Sequence, residues 1–241
     1  MRTQTAMLLL TLLMAIPGPC LAWDLTYDGD VLPTDPALGP GSWALNVYSA
    51  PGVVSDSSTT GGVLHLSDQR TDQAALFFRD DLPPNSPVTI EARLRVTSAD
   101  GAYIALVEPL RFGGSLAFVG IWPDRVGVRY RGNNYFDFYS VDMTQFHVVR
   151  LAIEENPWPY RVPAFTVWVD GVQVFSGSAP GTTGGSVHFG TNLIKEFTSE
   201  SYWDYVRYSR EYVPVPEPSG LLALTSGLTG LLAMRRRRGA G

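Results

Sequence analysis

One cysteine and one lysine in 241 residues set the first limits on this chain. Cys20 has no partner within the chain, so an internal disulfide and a cysteine-based metal cluster are both excluded. Lys195 is the sole lysine, and 18 basic residues face 23 acidic ones for a net charge of −5. With no polybasic surface to offer a phosphate backbone, nucleic-acid binding is excluded. Histidine is limited to His65, His147 and His188, without H-x-H or HExxH spacing, which argues against a zinc site; all three read as ordinary strand residues. G-x-S-x-G is missing, and no Ser-His-Asp arrangement can be argued. The glycine pairs Gly113-Gly114 and Gly184-Gly185 fall between strand-like phrases and not before helices, so they read as turns and not as phosphate loops. Heptads, internal repeats and a convincing amphipathic helix are lacking from the middle of the chain.

What the middle does contain is alternation. In 88–97 (VTIEARLRVT), Val88, Ile90, Ala92, Leu94 and Val96 point one way, and Thr89, Glu91, Arg93 and Arg95 the other. This is the period of a strand with one buried and one wet face. Similar phrases at 63–66, 74–78, 103–108, 115–121, 126–131, 136–141, 146–153, 164–169, 172–175, 186–189 and 202–208 are separated by Gly, Pro, Asn and Asp clusters. Asp170-Gly171 between VWV and VQVF predicts a two-residue hairpin turn. The proline-rich stretch 155–163, which contains Trp158, reads as a surface excursion. So many strands in residues 23–210 predict one all-β domain, a two-sheet antiparallel sandwich of jelly-roll type.

Both ends read as targeting segments. Residues 1–22 form a secretory signal peptide: a basic Arg2, an apolar run over 7–16, a Pro17-Gly18-Pro19 break, and small residues Cys20 and Ala22 before a cut ahead of Trp23. At the other end, 211–218 is a proline-rich linker in which Pro214, Pro216 and Pro218 enforce extended backbone. Ser219 can cap an apolar helix reaching Met234, slightly short of a comfortable membrane span, and the arginines that follow can lengthen it by snorkelling to the cytoplasmic side. The order Pro216-Glu217-Pro218, apolar helix, Arg235, Arg236, Arg237, Arg238 resembles the PEP-CTERM sorting tail of exported bacterial proteins. That resemblance implies recognition of Pro216, Glu217 and Pro218 by an exosortase and a cytoplasmic stop at the arginines. It also implies export by the secretion machinery, transient anchoring in the inner membrane, and a final place at the cell surface or outside the cell. Loss of Arg2 and the four terminal arginines takes five of the 18 basic residues; against 22 or 23 acidic ones, depending on whether Glu217 is retained, the mature charge is −9 or −10.

The phrases FHVVRLAIE, FTVWVDGVQVFSG, SVHFGTN and SYWDYVRYS, taken in that order, resemble the concanavalin A-like lectin and glucanase sandwiches, laminin G-like modules included. WDLTYDGDVLPTDPALGPGSW is similar to the first strand and loop of family-16-type glucanases. Those enzymes carry an E-x-D-x-E strand that supplies two carboxylates to the glycosidic bond. Here Glu91 stands among arginines, Glu154 and Glu155 point apart, and Asp137 and Glu108 have no carboxylate two residues away. The expectation is therefore a non-catalytic module that binds polysaccharide, with a divergent glycoside hydrolase or a matrix protein without a small ligand as the alternatives. Trp122, Tyr130, Tyr135 and Trp168 are the candidate sugar platforms, because an apolar sugar face packs on a ring while polar side chains take the hydroxyls. No cofactor is required. The resemblance implies a structural calcium ion at Asp28, Gly29 and Asp204, the last in a DYVR-like phrase; the alternative is that Asp204 serves only the sheet edge.

Overall fold

A computed structural model describes residues 23–47, 56–68, 75–83, 86–98, 102–107, 115–130, 136–154, 164–178, 185–191 and 199–213. The signal peptide, the sorting motif with its helix and arginines, Tyr135 and Trp158 lie outside the described residues. Among the described residues no helix is long and apolar enough to cross a membrane.

Most of the described chain is strand, with a short 3-10 helix at Pro36–Gly41. In order the strands are β1 (Leu25–Tyr27), β2 (Ala44–Val47), β3 (Asp56–Thr59), β4 (Leu64–Asp68), β5 (Ala75–Leu82), β6 (Val88–Val96), β7 (Ala102–Val107) and β8 (Ser115–Trp122). They continue with β9 (Arg125–Tyr130), β10 (Asp137–Ser140), β11 (His147–Ile153), β12 (Ala164–Val169), β13 (Val172–Ser178), β14 (Gly185–Thr191) and β15 (Ser199–Ser209). Sheet A runs β13-β12-β11-β6-β15-β4-β3, with β1 also paired to β15; sheet B runs β10-β9-β8-β7-β14-β5-β2. Every pairing is antiparallel. The two sheets stack as a jelly-roll sandwich, as the alternation predicts. Strands β2 and β3 are additions to the sequence reading: ALNV and DSST are too short and, in the second case, too polar to announce themselves.

The apolar half of the β6 pattern holds, but on the face expected to be wet Thr89 and Glu91 are buried as well. Val88, Ile90, Ala92, Leu94 and Val96 of β6 are buried in the inter-sheet core. The β12–β13 hairpin turns at Asp170 (φ 50) and Gly171 (φ 79), both in the left-handed region that a two-residue turn of this hand needs. Asp170 offsets its own backbone cost by accepting from the Val148 N–H at 2.9 Å and meeting His147 Nδ1 at 2.5 Å.

Strand β15 holds the sandwich together. One edge pairs with β6; the other is shared end to end by β4 and β1. Its register slips between Trp203 and Tyr205, so Asp204 is an extra residue, a bulge. The slip lets Trp203, Val206 and Tyr208 all face the core, which strict alternation would forbid. In that core Phe189 of sheet B is the hub. Its ring centroid lies 4.8 Å from Trp43, 5.2 Å from Phe77, 6.2 Å from Tyr27 and 5.0 Å from Trp203 of the opposite sheet.

The two ends of the described domain meet. The Asp24 N–H donates to the Tyr208 carbonyl at 3.0 Å, and the Arg210 N–H donates to Asp24 Oδ2 at 2.5 Å. Beyond β15, Thr89 Oγ1 donates to the Glu211 carbonyl and accepts from the Val213 N–H, stitching the chain back onto sheet A.

Candidate functional site

Sheet B presents an aromatic and cationic strip on its outer face. Pairing fixes it row by row. Arg129, Phe118, Ala105, His188 and Phe78 stand opposite one another across five strands. The next row is Phe138, Gly127, Gly120, Tyr103 and Gly190, and a third starts with Ser140, Arg125 and Trp122. Gly120 and Gly127 are register partners, and the Trp122 indole folds back over both. A Cβ on Gly120 would stand 2.4 Å from the indole, and one on Gly127 3.0 Å from it. Only glycine leaves room for a ring lying flat against the sheet. Phe136 and Phe138 then meet Trp122 edge-on at 5.2 and 5.6 Å, Phe118 packs against Phe136 at 5.7 Å, and Tyr103 stacks on Phe118 at 4.7 Å.

Two guanidiniums cover these rings. Arg125 lies 5.5 Å from the Trp122 centroid and 4.7 Å from that of Phe138; Arg129 lies 5.6 Å from Phe118 and 5.7 Å from Phe136. Phe138 is 53% exposed and Arg129 is exposed, so the strip offers both part of a ring and a cation to solvent.

The four proposed sugar platforms do not form one surface. Trp122 belongs to this strip, but as its floor: it is only 8% exposed. Tyr130 turns the other way and packs on the core residue Phe165 at 4.9 Å, a correction that follows from strand parity, since it pairs with the core residue Ala117. Trp168 is on the outer face of sheet A, on the far side of the sandwich. Sequence reasoning missed Phe118, Phe136 and Phe138 as members of the strip. The alternation of Phe118 with Gly120 and Trp122, and of Phe136 with Phe138, is legible in the sequence, but nothing local says which face is wet.

The outer face of sheet A is built around charge. Trp168, Arg150, Glu91 and Arg207 line up across β12, β11, β6 and β15. Glu91 is 2% exposed and accepts from Arg150 Nε at 2.6 Å, Arg207 Nε at 2.9 Å, Arg207 NH2 at 2.6 Å and the Tyr205 hydroxyl at 2.8 Å. Arg150 also donates to the Val213 carbonyl, and the Trp23 ring covers Arg207 at 4.2 Å and Arg150 at 5.5 Å. A cleft of about 380 Å³ opens beside this triad, walled by Val148, Trp168, Asp170, Gly171 and Tyr205. Every lone-pair direction of Glu91 is engaged by a donor, so it is a structural anion and not a free general acid.

The three histidines sit in β4, β11 and β14, as strand residues. His188 shares a 2.6 Å hydrogen bond with the Ser186 hydroxyl and stacks on Phe78, and burial pushes its pKa down to about 4. Unfolded, the ring takes up a proton near the ordinary value of 6.5; folded, it stays neutral until pH falls to about 4. The native state therefore loses stability as pH drops through that window, by about 1.4 kcal/mol per pH unit. Urea unfolding at about pH 7 and about pH 4.5 should show it, and His188→Gln should remove on the order of 2 kcal/mol of the drop. Equal losses in both proteins would place the acid sensitivity elsewhere.

At the junction of β1 and β4 beside the bulge, oxygens converge. Gly29 (φ 76) leaves no room for a side chain: a Cβ there would come 2.6 Å from the Gly62 carbonyl oxygen and 3.2 Å from that of Asp204. Asp30 Oδ1 reaches the same place, 3.1 Å from where a Gly62 Cβ would be. Burial, then the charges of Asp28 and Asp30, raise the Tyr27 hydroxyl pKa. Two carbonyls and neighbouring carboxylates are donors that suit a hard cation. The Asp204 carboxylate is not among them, because it is ion-paired with Arg93; Asp204 faces this junction with its main chain. Among the described residues no group of three or more His, Cys, Asp or Glu side chains is placed to hold a metal.

No protein-family model matches the chain, and no curated protein is similar to it in sequence. Solved structures are similar to it in shape. One is a sialidase, with a TM-score of 0.57 and 17% identity, matched over 78% of this chain but only 18% of its own length. Another is the metal-free carbohydrate recognition domain of Emp46p, with a TM-score of 0.52 and 12% identity over 80% of this chain and 100% of that domain. A third is the carbohydrate esterase vb_24B_21 of the Shiga toxin-encoding bacteriophage phi24B, at 0.51 and 15% over 78% and 97%. At these identities the likeness is one of fold alone, a two-sheet antiparallel sandwich.

Proposed function

We propose that this chain is a non-catalytic carbohydrate-binding module, exported and sorted by an exosortase to the cell surface or the extracellular matrix, that holds a polysaccharide against the outer face of sheet B. The observation that carries the reading is the strip itself: an exposed Phe138 ring, a seated Trp122 and two guanidiniums on one flat face. Rings take the apolar faces of sugars, and guanidiniums take their oxygens. On β8 the outward positions 118, 120 and 122 carry Phe, Gly and Trp, so this strand supplies no carboxylate pair for hydrolysis. That the similar solved structures include a carbohydrate recognition domain, an esterase for carbohydrate and a sialidase supports the ligand class. A calcium ion, if bound, would draw on oxygens near Gly29, the carbonyls of Gly62 and Asp204 with Asp28 or Asp30; it would supply a structural tie between β1 and β15.

Affinity electrophoresis of the full chain through gels carrying a panel of polysaccharides tests this, with the gels assayed afterwards for released sugars. Slowed migration on at least one polysaccharide without sugar release is expected, and Phe138→Ala should weaken it roughly tenfold, ~1.4 kcal/mol. Sugar release would make the chain a divergent glycoside hydrolase. Unchanged migration on every polysaccharide would leave a matrix protein without a small ligand.

A further inference from the structure

We infer that the polysaccharide taken by this face is acidic, a polymer bearing carboxylates at intervals along its length; the inference rests on the binding reading above and names its ligand class.

The charge on the two outer faces differs in degree. On sheet A, Arg93 is ion-paired with Asp204, and Arg150 and Arg207 share Glu91, while Arg95 lies over the Phe146 and Tyr202 rings. On sheet B, Arg129 is exposed and has no carboxylate partner among the described residues. Arg125 has only a loose one, Asp124, at 3.8 Å and itself 72% exposed. Across β10, β9, β8, β7 and β14 the described side chains on this face are Phe, Tyr, Trp, Arg, His and Ser, without a carboxylate.

The geometry of the cations suits anions. A guanidinium laid over a ring loses solvent from its face and keeps its N–H groups directed outward in its own plane, where a carboxylate can be taken in two parallel hydrogen bonds. Arg125 and Arg129 are four residues apart on β9 and point the same way, about 13 Å from one another along the strand. Two anionic groups on separate sugars of one chain can be held at once, with the ring of Phe138 and the edge of Phe136 beneath the sugars on the same side. The surrounding negative charge acts as a filter. A polyanion is repelled by the molecule as a whole and is retained only where this strip meets it.

Affinity electrophoresis of the full chain should use alginate, polygalacturonate and hyaluronate, each beside its own carboxyl-reduced form, with a neutral β-glucan and polyglutamate as further probes. Retention by at least one uronate polymer, at least tenfold weaker on its carboxyl-reduced form and weakened by salt, is the expected result. Arg129→Gln should reduce that retention tenfold or more, while Arg210→Gln, whose partner is Asp81 away from the strip, should leave it unchanged. Equal retention by a polymer and its carboxyl-reduced form, or by the neutral β-glucan, would overturn the acidic ligand and leave the binding module standing. Equal retention by polyglutamate would also overturn it, since the rings would then contribute nothing. Unchanged migration on every probe would overturn both readings together.

Discussion

Glu91→Gln should destabilise the protein by about 3–5 kcal/mol, the loss found when one partner of a buried ion pair is removed. The amide matches the carboxylate in shape but not in charge. Arg150, 9% exposed, and Arg207, 30% exposed, would be left facing each other across β6 with no anion between them. The change also reaches the neighbours of the triad: the Tyr205 hydroxyl and the Trp23 ring over both guanidiniums lose the group that fixes them. For a domain of this size each kcal/mol is worth roughly 2–4 °C, so the melting temperature should fall by about 6–20 °C. Replacing all three by apolar residues, Glu91→Leu with Arg150→Met and Arg207→Leu, should cost far less than the single change, because it removes the desolvated charges together. Thermal unfolding of the two variants decides it. A triple variant as unstable as the single one would mean that the triad earns its place by attraction and not by mutual neutralisation.

Phe189→Ala should cost a comparable 3–5 kcal/mol. The ring touches Tyr27, Trp43 and Phe77 and reaches across to Trp203, so its removal opens a cavity bordered by large rigid rings from both sheets. Those rings cannot collapse inward without leaving their rotamers, which puts the change at the expensive end of core truncations. Urea unfolding should show a lower midpoint with an unchanged slope. A cost below about 1 kcal/mol would mean that the core around Phe189 is able to close up.

These two sites mark how far the sequence could be read. The alternation of β6 and the turn at Asp170-Gly171 were plain, because period and turn chemistry are local. From them came the sandwich and the two faces of the central strand. Glu91 could be seen to stand among Arg93 and Arg95, but its actual partners, Arg150 and Arg207, come from β11 and β15 and meet it only through register. The bulge at Asp204 was invisible for a related reason. YWDYVRY reads as one alternating strand, and only the demand that Trp203 and Val206 both be buried reveals the extra residue. The strip on sheet B was half legible. Trp122 was picked out as a large ring, whereas its seat, made by two glycines paired across strands, depends on a register that no single segment encodes. Only ring type marks Tyr130 and Trp168 in the sequence, and ring type does not say which side of which sheet a side chain occupies.

The meeting of Asp24 with Arg210, and the stitching of 211–213 onto Thr89, have a consequence for how the domain is presented. Trp23 and Val213 leave the fold side by side, over the Glu91 triad on the outer face of sheet A. Whatever precedes and whatever follows the domain is therefore attached at one pole, and the aromatic strip looks out from the opposite one. A domain hung from such a pole shows the same face to its surroundings whether it is held by one end or by both, so the strip on sheet B stays uncovered in either case.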